Sequence, residues 1–92
     1  MATRYTVENR FKKMLRKLPP DVQRLASVAI AHTERPQYHF KKLHRARRLR
    51  PNSWSIRVTH QTYRAIAEKL ADGTLSWYWV GTHEDYNGMI GQ

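Results

Sequence analysis

Between Ser53 and Tyr86 the sequence carries three runs rich in β-branched and aromatic residues, Trp54 to Thr59, Tyr63 to Lys69 and Leu75 to Val80. No other feature constrains the fold as much. The link between the last two runs contains Asp72-Gly73, a pair suited to the positive φ of a tight hairpin turn. Strands this close together predict an antiparallel meander. The third run continues into Gly81-Thr82-His83-Glu84-Asp85-Tyr86, so titratable groups collect where a rigid sheet ends. Such a junction offers stiff support for reactive side chains.

The preceding chain supplies helices. Arg4 to Val7 reads either as a short edge strand or as a frayed tail. Phe11, Met14, Leu15 and Leu18 fall at i, i+3, i+4 and i+7, one apolar stripe, while Arg10, Lys12, Lys13, Arg16 and Lys17 face elsewhere. Pro19 stops that helix. Pro20 opens the next, where its missing N–H costs nothing, and Asp21 suits the positive end of the helix dipole. Val22, Leu25, Ala26, Ala29 and Ile30 form the second stripe, and Pro36 closes the helix. The expected architecture is α+β: an N-terminal αα-hairpin on one face of a twisted antiparallel meander. Tyr38 to Leu43 is a candidate first strand of that meander, and a short helix follows the last one.

At 92 residues the chain reads as one domain, residues 1–92, with a single modest core. The absence of cysteine rules out a disulfide framework or thiolate zinc site and fits a reducing compartment. Charges occupy the N-terminus where a signal peptide needs an apolar run, and no segment is long enough to span a bilayer. A soluble, cytoplasmic protein is expected. Its formal net charge is +10 and its pI is near 10.6. Such a field attracts phosphate polyanions, and equally an acidic protein or a membrane surface.

Six of the ten residues from Lys41 to Arg50 are Lys or Arg. The run reads either as a solvated loop or as a phosphate-contacting strip tethered to the sheet at both ends. In the first long strand Trp54, Ile56 and Val58 share one face, leaving Ser55, Arg57 and Thr59 on the other. Arg57 and Arg64 could thus lie together on the face opposite the helices and hold one phosphate, since a guanidinium gives bidentate bonds and stays charged. The competing reading pairs each arginine with Glu68 or Glu84, or lays it over apolar surface. The triplet Trp77-Tyr78-Trp79 makes both faces of its strand aromatic. Core packing is the first expectation, with Tyr78 the candidate for the open face.

These residues carry a resemblance. The ordered set Trp54-Ser55-Ile56-Arg57-Val58, Tyr63-Arg64-Ala65, Asp72-Gly73, Trp77-Tyr78-Trp79-Val80-Gly81-Thr82-His83 and Asp85-Tyr86 resembles the RelE/ParE superfamily of bacterial type II toxins. Leu18-Pro19-Pro20-Asp21-Val22-Gln23 and Phe40-Lys41-Lys42-Leu43 agree in order and spacing, so the likeness runs from about Phe11 to Ile90. It implies two helices packed on a twisted sheet, and a toxin neutralised by a cognate, acidic antitoxin. RelE-like members cleave messenger RNA on the ribosome without metal or other cofactor, whereas ParE-like members inhibit DNA gyrase by binding it. Fold alone cannot choose between them.

The resemblance implies a first reading, a ribosome-dependent mRNA endonuclease (mRNA interferase) that inhibits translation. Arg57, Arg64, His83 and Tyr86 are its candidate catalytic residues, and Lys41, Lys42, Arg45, Arg47 and Arg48 its candidate RNA-binding residues. His83 suits proton transfer because imidazole titrates near neutrality. Glu84 and Asp85 beside it would either orient the ring or repel RNA. A structural reading of the same segment has Thr82 or Asp85 capping a terminal helix, Tyr86 packing on the sheet and His83 bonded to a carbonyl. His60 reads as an exposed turn histidine. Gyrase inhibition and non-catalytic nucleic-acid binding are the other function classes.

Overall fold

The hairpin turn forms as its chemistry requires. Gly73 adopts φ 89°, its N–H donates to the Leu70 carbonyl at 2.9 Å, and the Asp72 carboxylate accepts from the Thr74 N–H at 2.9 Å. The structure is a computed structural model that describes residues 4–44, 46–60 and 62–91. In chain order it contains β1 (Tyr5–Val7), α1 (Asn9–Arg16), α2 (Pro20–Ala31), a 3₁₀ turn (Pro36–Tyr38), β2 (Lys41–Lys42), β3 (Ser53–Arg57), β4 (Tyr63–Lys69), β5 (Leu75–Thr82) and α3 (His83–Met89). The sheet order is β1-β5-β4-β3-β2. No helix among the described residues is long and apolar enough to cross a membrane.

Two expectations about the sheet change. Its β2–β5 part is the antiparallel meander, but Arg4 to Val7 supplies a fifth strand parallel to β5, pairing Tyr5 with Leu75 and Val7 with Trp77. The sheet is therefore mixed. The candidate strand Tyr38 to Leu43 shrinks to Lys41–Lys42, because Pro36 starts a 3₁₀ turn that buries Tyr38, and His39 then takes a left-handed conformation, φ 47°. No sheet ladder continues through that backbone.

Helices α1 and α2 cover one face. Phe11 from α1 and Ala26, Ala29 and Ile30 from α2 pack on Ile56, Ala65, Ala67, Leu75, Trp77 and Val80. The alanines let α2 lie close to the sheet. Leu25 stands at the margin of its stripe and is 46% exposed, so the sequence placed it too deep. Val28 is also exposed.

On the opposite face β5 breaks its alternation. Ile66 pairs with Trp79 while the adjacent Ala67 pairs with Trp77, so Tyr78 is the extra residue of a β-bulge. The bulge places Tyr78 beside Trp79 in a second cluster with Ile66 and Tyr86. Tyr78 lies on the face expected for it, yet it is buried, 1% exposed. The basic loop covers it. Arg50 stands 4.3 Å from its ring centroid, and its hydroxyl accepts from the Arg50 N–H at 3.2 Å and meets the Ser53 hydroxyl at 2.7 Å.

A half-buried carboxylate pins that loop. Glu8 accepts two bonds from the Arg50 guanidinium, at 2.6 and 2.8 Å, and one from the Ser76 hydroxyl at 2.6 Å. Glu68 adds a second contact to Arg50 at 3.5 Å. The Arg50 bond, opposed by burial and helped by Ser76, holds the Glu8 carboxyl below its ordinary pKa. A depressed folded-state pKa gives stability that is present above the unfolded value, about 4.3, and lost as pH falls through the folded one. Glu8→Gln is expected to cost about 1–2 kcal/mol at pH 7, given partial exposure. It should also flatten the acid limb of a pH series of urea melts, whereas an unchanged limb would remove Glu8 as its source.

Candidate functional site

The register fixes how the two arginines meet. Arg57 is the direct cross-strand partner of Arg64, and Arg64 is that of Gly81. The neighbouring Val58 N–H donates to the Tyr63 carbonyl at 3.0 Å, so by alternation Arg57 and Arg64 form a non-hydrogen-bonded pair. This is the arrangement that brings opposed side chains closest, and like charges there destabilise a sheet. Burial first, and the Arg57 charge second, lower the pKa of the Arg64 guanidinium. No ion pair to either arginine occurs among the described residues, and Glu68 is turned to Arg50 instead.

Three nitrogens at this end of the sheet are buried without a hydrogen-bond partner: Arg57 Nε, Arg64 Nε and His83 Nδ1. Buried polar groups are ordinarily paired, so three orphans at one end of a sheet are informative. The site is electropositive, and the two guanidinium Nε donors lack an acceptor. His83 opens α3, with its main-chain N–H on the Thr62 carbonyl at 2.6 Å. Thr82 caps the helix by accepting from the Asp85 N–H at 3.1 Å, as the structural reading of this segment held.

Tyr86 lies at the floor of the site, 3% exposed. Its hydroxyl meets the Ser55 hydroxyl at 3.2 Å, and its ring lies 6.0 Å from the His83 ring, 6.4 Å from Trp79 and 5.4 Å from the Arg64 guanidinium carbon. Gly81 makes room for this stack. A Cβ there would come within 2.9 Å of the Trp79 indole.

The structure thus brings Arg57, Arg64, His83 and Tyr86 to one end of the sheet. Glu84 and Asp85 are exposed, as is His60 in its turn. Lys41 and Lys42 stand exposed on β2, and Arg47 and Arg48 are exposed in the loop, while Arg45 lies outside the described residues. Lys41, Lys42, Tyr86 and Ile90 line one cavity of about 370 Å³, which joins the lysines to the floor of the site. Ser55 was missed at the sequence level. Its only signal there was its place on the same strand face as Arg57. Among the described residues no group of three or more His, Asp or Glu side chains could hold a metal ion.

Three comparisons bear on this arrangement. The family model described as ParE-like toxin domain matches residues 20–88. No curated protein matches by sequence. Among solved structures, the Mycobacterium tuberculosis RelBE2 toxin–antitoxin complex superposes with a TM-score of 0.63 at 21% identity, covering 90% of this chain and 100% of the other. A double-arginine variant of Escherichia coli toxin RelE in the free state gives 0.65 at 20% identity, with 98% and 96% coverage. The Pyrococcus horikoshii RelE–RelB complex gives 0.61 at 17% identity, with 89% and 96% coverage. At these identities the likenesses speak to the fold, and the family model covers α2, strands β2 to β5 and all but the last residue of α3. The chain belongs to the ParE-like toxin domain family, within the RelE/ParE superfamily of toxins.

Proposed function

We propose that this toxin is a metal-independent, ribosome-dependent mRNA endonuclease held in check by an antitoxin. The observation that carries the reading is the pair of facing arginines without a carboxylate partner among the described residues, at the end of the sheet where His83 opens α3. A phosphodiester supplies the counter-charge those two guanidiniums lack. Its two non-bridging oxygens fit between two guanidiniums, and charge accumulating on them in a phosphorane-like transition state is stabilised by groups already in place.

The chemistry needs one proton removed and one delivered. The ribose 2′-oxygen attacks the adjacent phosphorus, its proton passes to a base, and the P–O5′ bond breaks as the 5′-oxygen takes up a proton. The products are a 2′,3′-cyclic phosphate and a 5′-hydroxyl. His83 is the imidazole that opens α3 at this end of the sheet and the group assigned to move a proton. Tyr86, whose hydroxyl is engaged by Ser55, acts as a positioning residue that supports the His83 ring and the Arg64 guanidinium. Lys41, Lys42, Arg47 and Arg48 would guide the backbone toward this end. The two toxin–antitoxin complexes among the structural relatives support an antitoxin as partner.

The test is induced expression without an antitoxin, with mapping of message ends and an assay of gyrase supercoiling. New ends within translated messages, reduced at least 100-fold by His83→Ala, are expected. Intact messages with blocked supercoiling would move the protein to the gyrase-binding class and make the arginines part of a protein interface.

A further inference from the structure

A cavity of about 260 Å³ lies on the flank of the candidate site, with Arg57 itself in its lining. Its apolar part is Leu25, Tyr38 and Val58, and its polar part is Gln37, Thr59 and His60. Local structure explains the split. The 3₁₀ turn Pro36–Tyr38 buries Tyr38 and leaves the adjacent Gln37 exposed, because successive residues of so tight a helix point in different directions. Val58 extends the apolar face of β3 and is buried. Leu25 is 46% exposed, an apolar group that the core does not use and this cavity does. The Thr59 Oγ1 accepts from the Thr62 and Tyr63 N–H groups at 3.3 and 3.1 Å, so its own proton is left to donate. Among the described residues no carboxylate lines the cavity.

Pockets for drug-sized ligands begin at about 300 Å³, so this one suits a single planar ring system. An apolar floor with an amide, a hydroxyl and an imidazole at its margin matches a nucleobase, whose faces pack on apolar or aromatic groups and whose edge carries donors and acceptors. The cavity meets the candidate site at Arg57, the cross-strand partner of Arg64. A ribose joins base to phosphate, so a base bound here is within reach of a phosphate held by the two guanidiniums.

We infer that this cavity is a base subsite of the proposed endonuclease, and that Gln37 is a specificity-determining residue favouring adenine. A glutamine side chain accepts from the adenine N6 amino group and donates to N7 at the same time. Guanine shows two acceptors on that edge and leaves the Gln37 oxygen unpaired, and the pyrimidines have no N7. The inference rests on the phosphate reading of Arg57 and Arg64 given above.

The experiment is an NMR titration of the full ¹⁵N-labelled chain with inorganic phosphate and with the 3′,5′-bisphosphates of adenosine and cytidine, which carry a phosphate on either side of the nucleoside. Inorganic phosphate is expected to move the Arg57 and Arg64 Nε–H signals. The adenosine compound should also move the Gln37 side-chain amide and the Val58 and Thr59 main-chain amides, and bind at least fivefold more tightly than the cytidine compound. Gln37→Ala should bring the two nucleotides within twofold of each other, and Leu25→Ser should weaken the adenosine compound at least threefold, each with phosphate affinity unchanged. Both side chains are exposed, so neither change removes core packing. Phosphate without effect on either arginine would overturn the phosphate reading and this inference with it. Phosphate bound at the arginines, with the Gln37, Val58 and Thr59 signals unmoved by nucleotide, overturns the inference alone, as does equal binding of the two nucleotides or a preference that survives Gln37→Ala.

Discussion

Arg64→Ala is expected to abolish growth inhibition while leaving the domain at least as stable as the parent. The two halves of this result have one cause. Arg64 faces Arg57 across a non-hydrogen-bonded pair, with its Nε buried and unpartnered, so the folded protein holds a repulsion that no carboxylate among the described residues offsets. Removing it should raise stability by a few tenths to about 1 kcal/mol, less whatever packing of the arginine stem over Tyr86 is lost. In the proposed reaction the same guanidinium stabilises charge on the phosphate, and a preorganised donor of this kind is worth about 10² to 10³ in rate. Urea melts and message-end mapping on one preparation check both. A marked loss of stability would make Arg64 a structural residue, and unchanged cleavage would remove it from the site. Inorganic phosphate should stabilise the parent and not the variant, because a ligand that binds only the folded state shifts unfolding by mass action.

Trp77→Ala should have the largest effect on stability, about 3–5 kcal/mol. The indole is fully buried on the helix-covered face, 6.5 Å from the Phe11 ring, in the core that joins α1 and α2 to the sheet. For a domain of this size such a loss is a large part of the total and lowers the melting temperature by roughly 15 °C or more. Trp77→Phe is the informative companion. The Trp77 Nε1 is itself buried without a partner, so phenylalanine removes an unsatisfied donor as well as volume, and the net cost should be about 1–2 kcal/mol. Calorimetric scans of the two variants check the order. Equal destabilisation would mean that the indole nitrogen has a partner, such as a buried water.

Much of the meander was legible because its signals are local. The alternation of Trp54, Ile56 and Val58 against Ser55 and Arg57, the Asp72-Gly73 turn and the Pro20-Asp21 helix start each depend on neighbouring residues alone. The motif set from Trp54 to Tyr86 was likewise enough to point to the superfamily. Counting in twos put Arg57 opposite the apolar face of its strand, whereas in the strand of Arg64 neither set is wholly apolar and its side stayed open. What counting could not supply was the register that sets them directly opposite one another, since a shift of one residue in either strand would have separated them.

The misplacements have the same origin. Nothing within Leu75 to Val80 signals that Tyr78 is the extra residue of a bulge, because a bulge is a relation between β4 and β5. Leu25 fits its helical stripe by spacing, and its exposure follows from where α2 lies on the sheet. Arg50 looks no different in sequence from the other cations of its run. Only the approach of Glu8, 42 residues away in the chain, makes it a structural anchor, whereas Arg47 and Arg48 remain exposed. The sequence by itself determined α1, α2 and the three long strands, the superfamily and the chemical inventory of the site, because periodicity, turn chemistry and residue type are properties of short stretches. The tertiary structure alone decided which cations are spent on carboxylates and which are left unpaired at the end of the sheet, because charge pairing depends on distance in space.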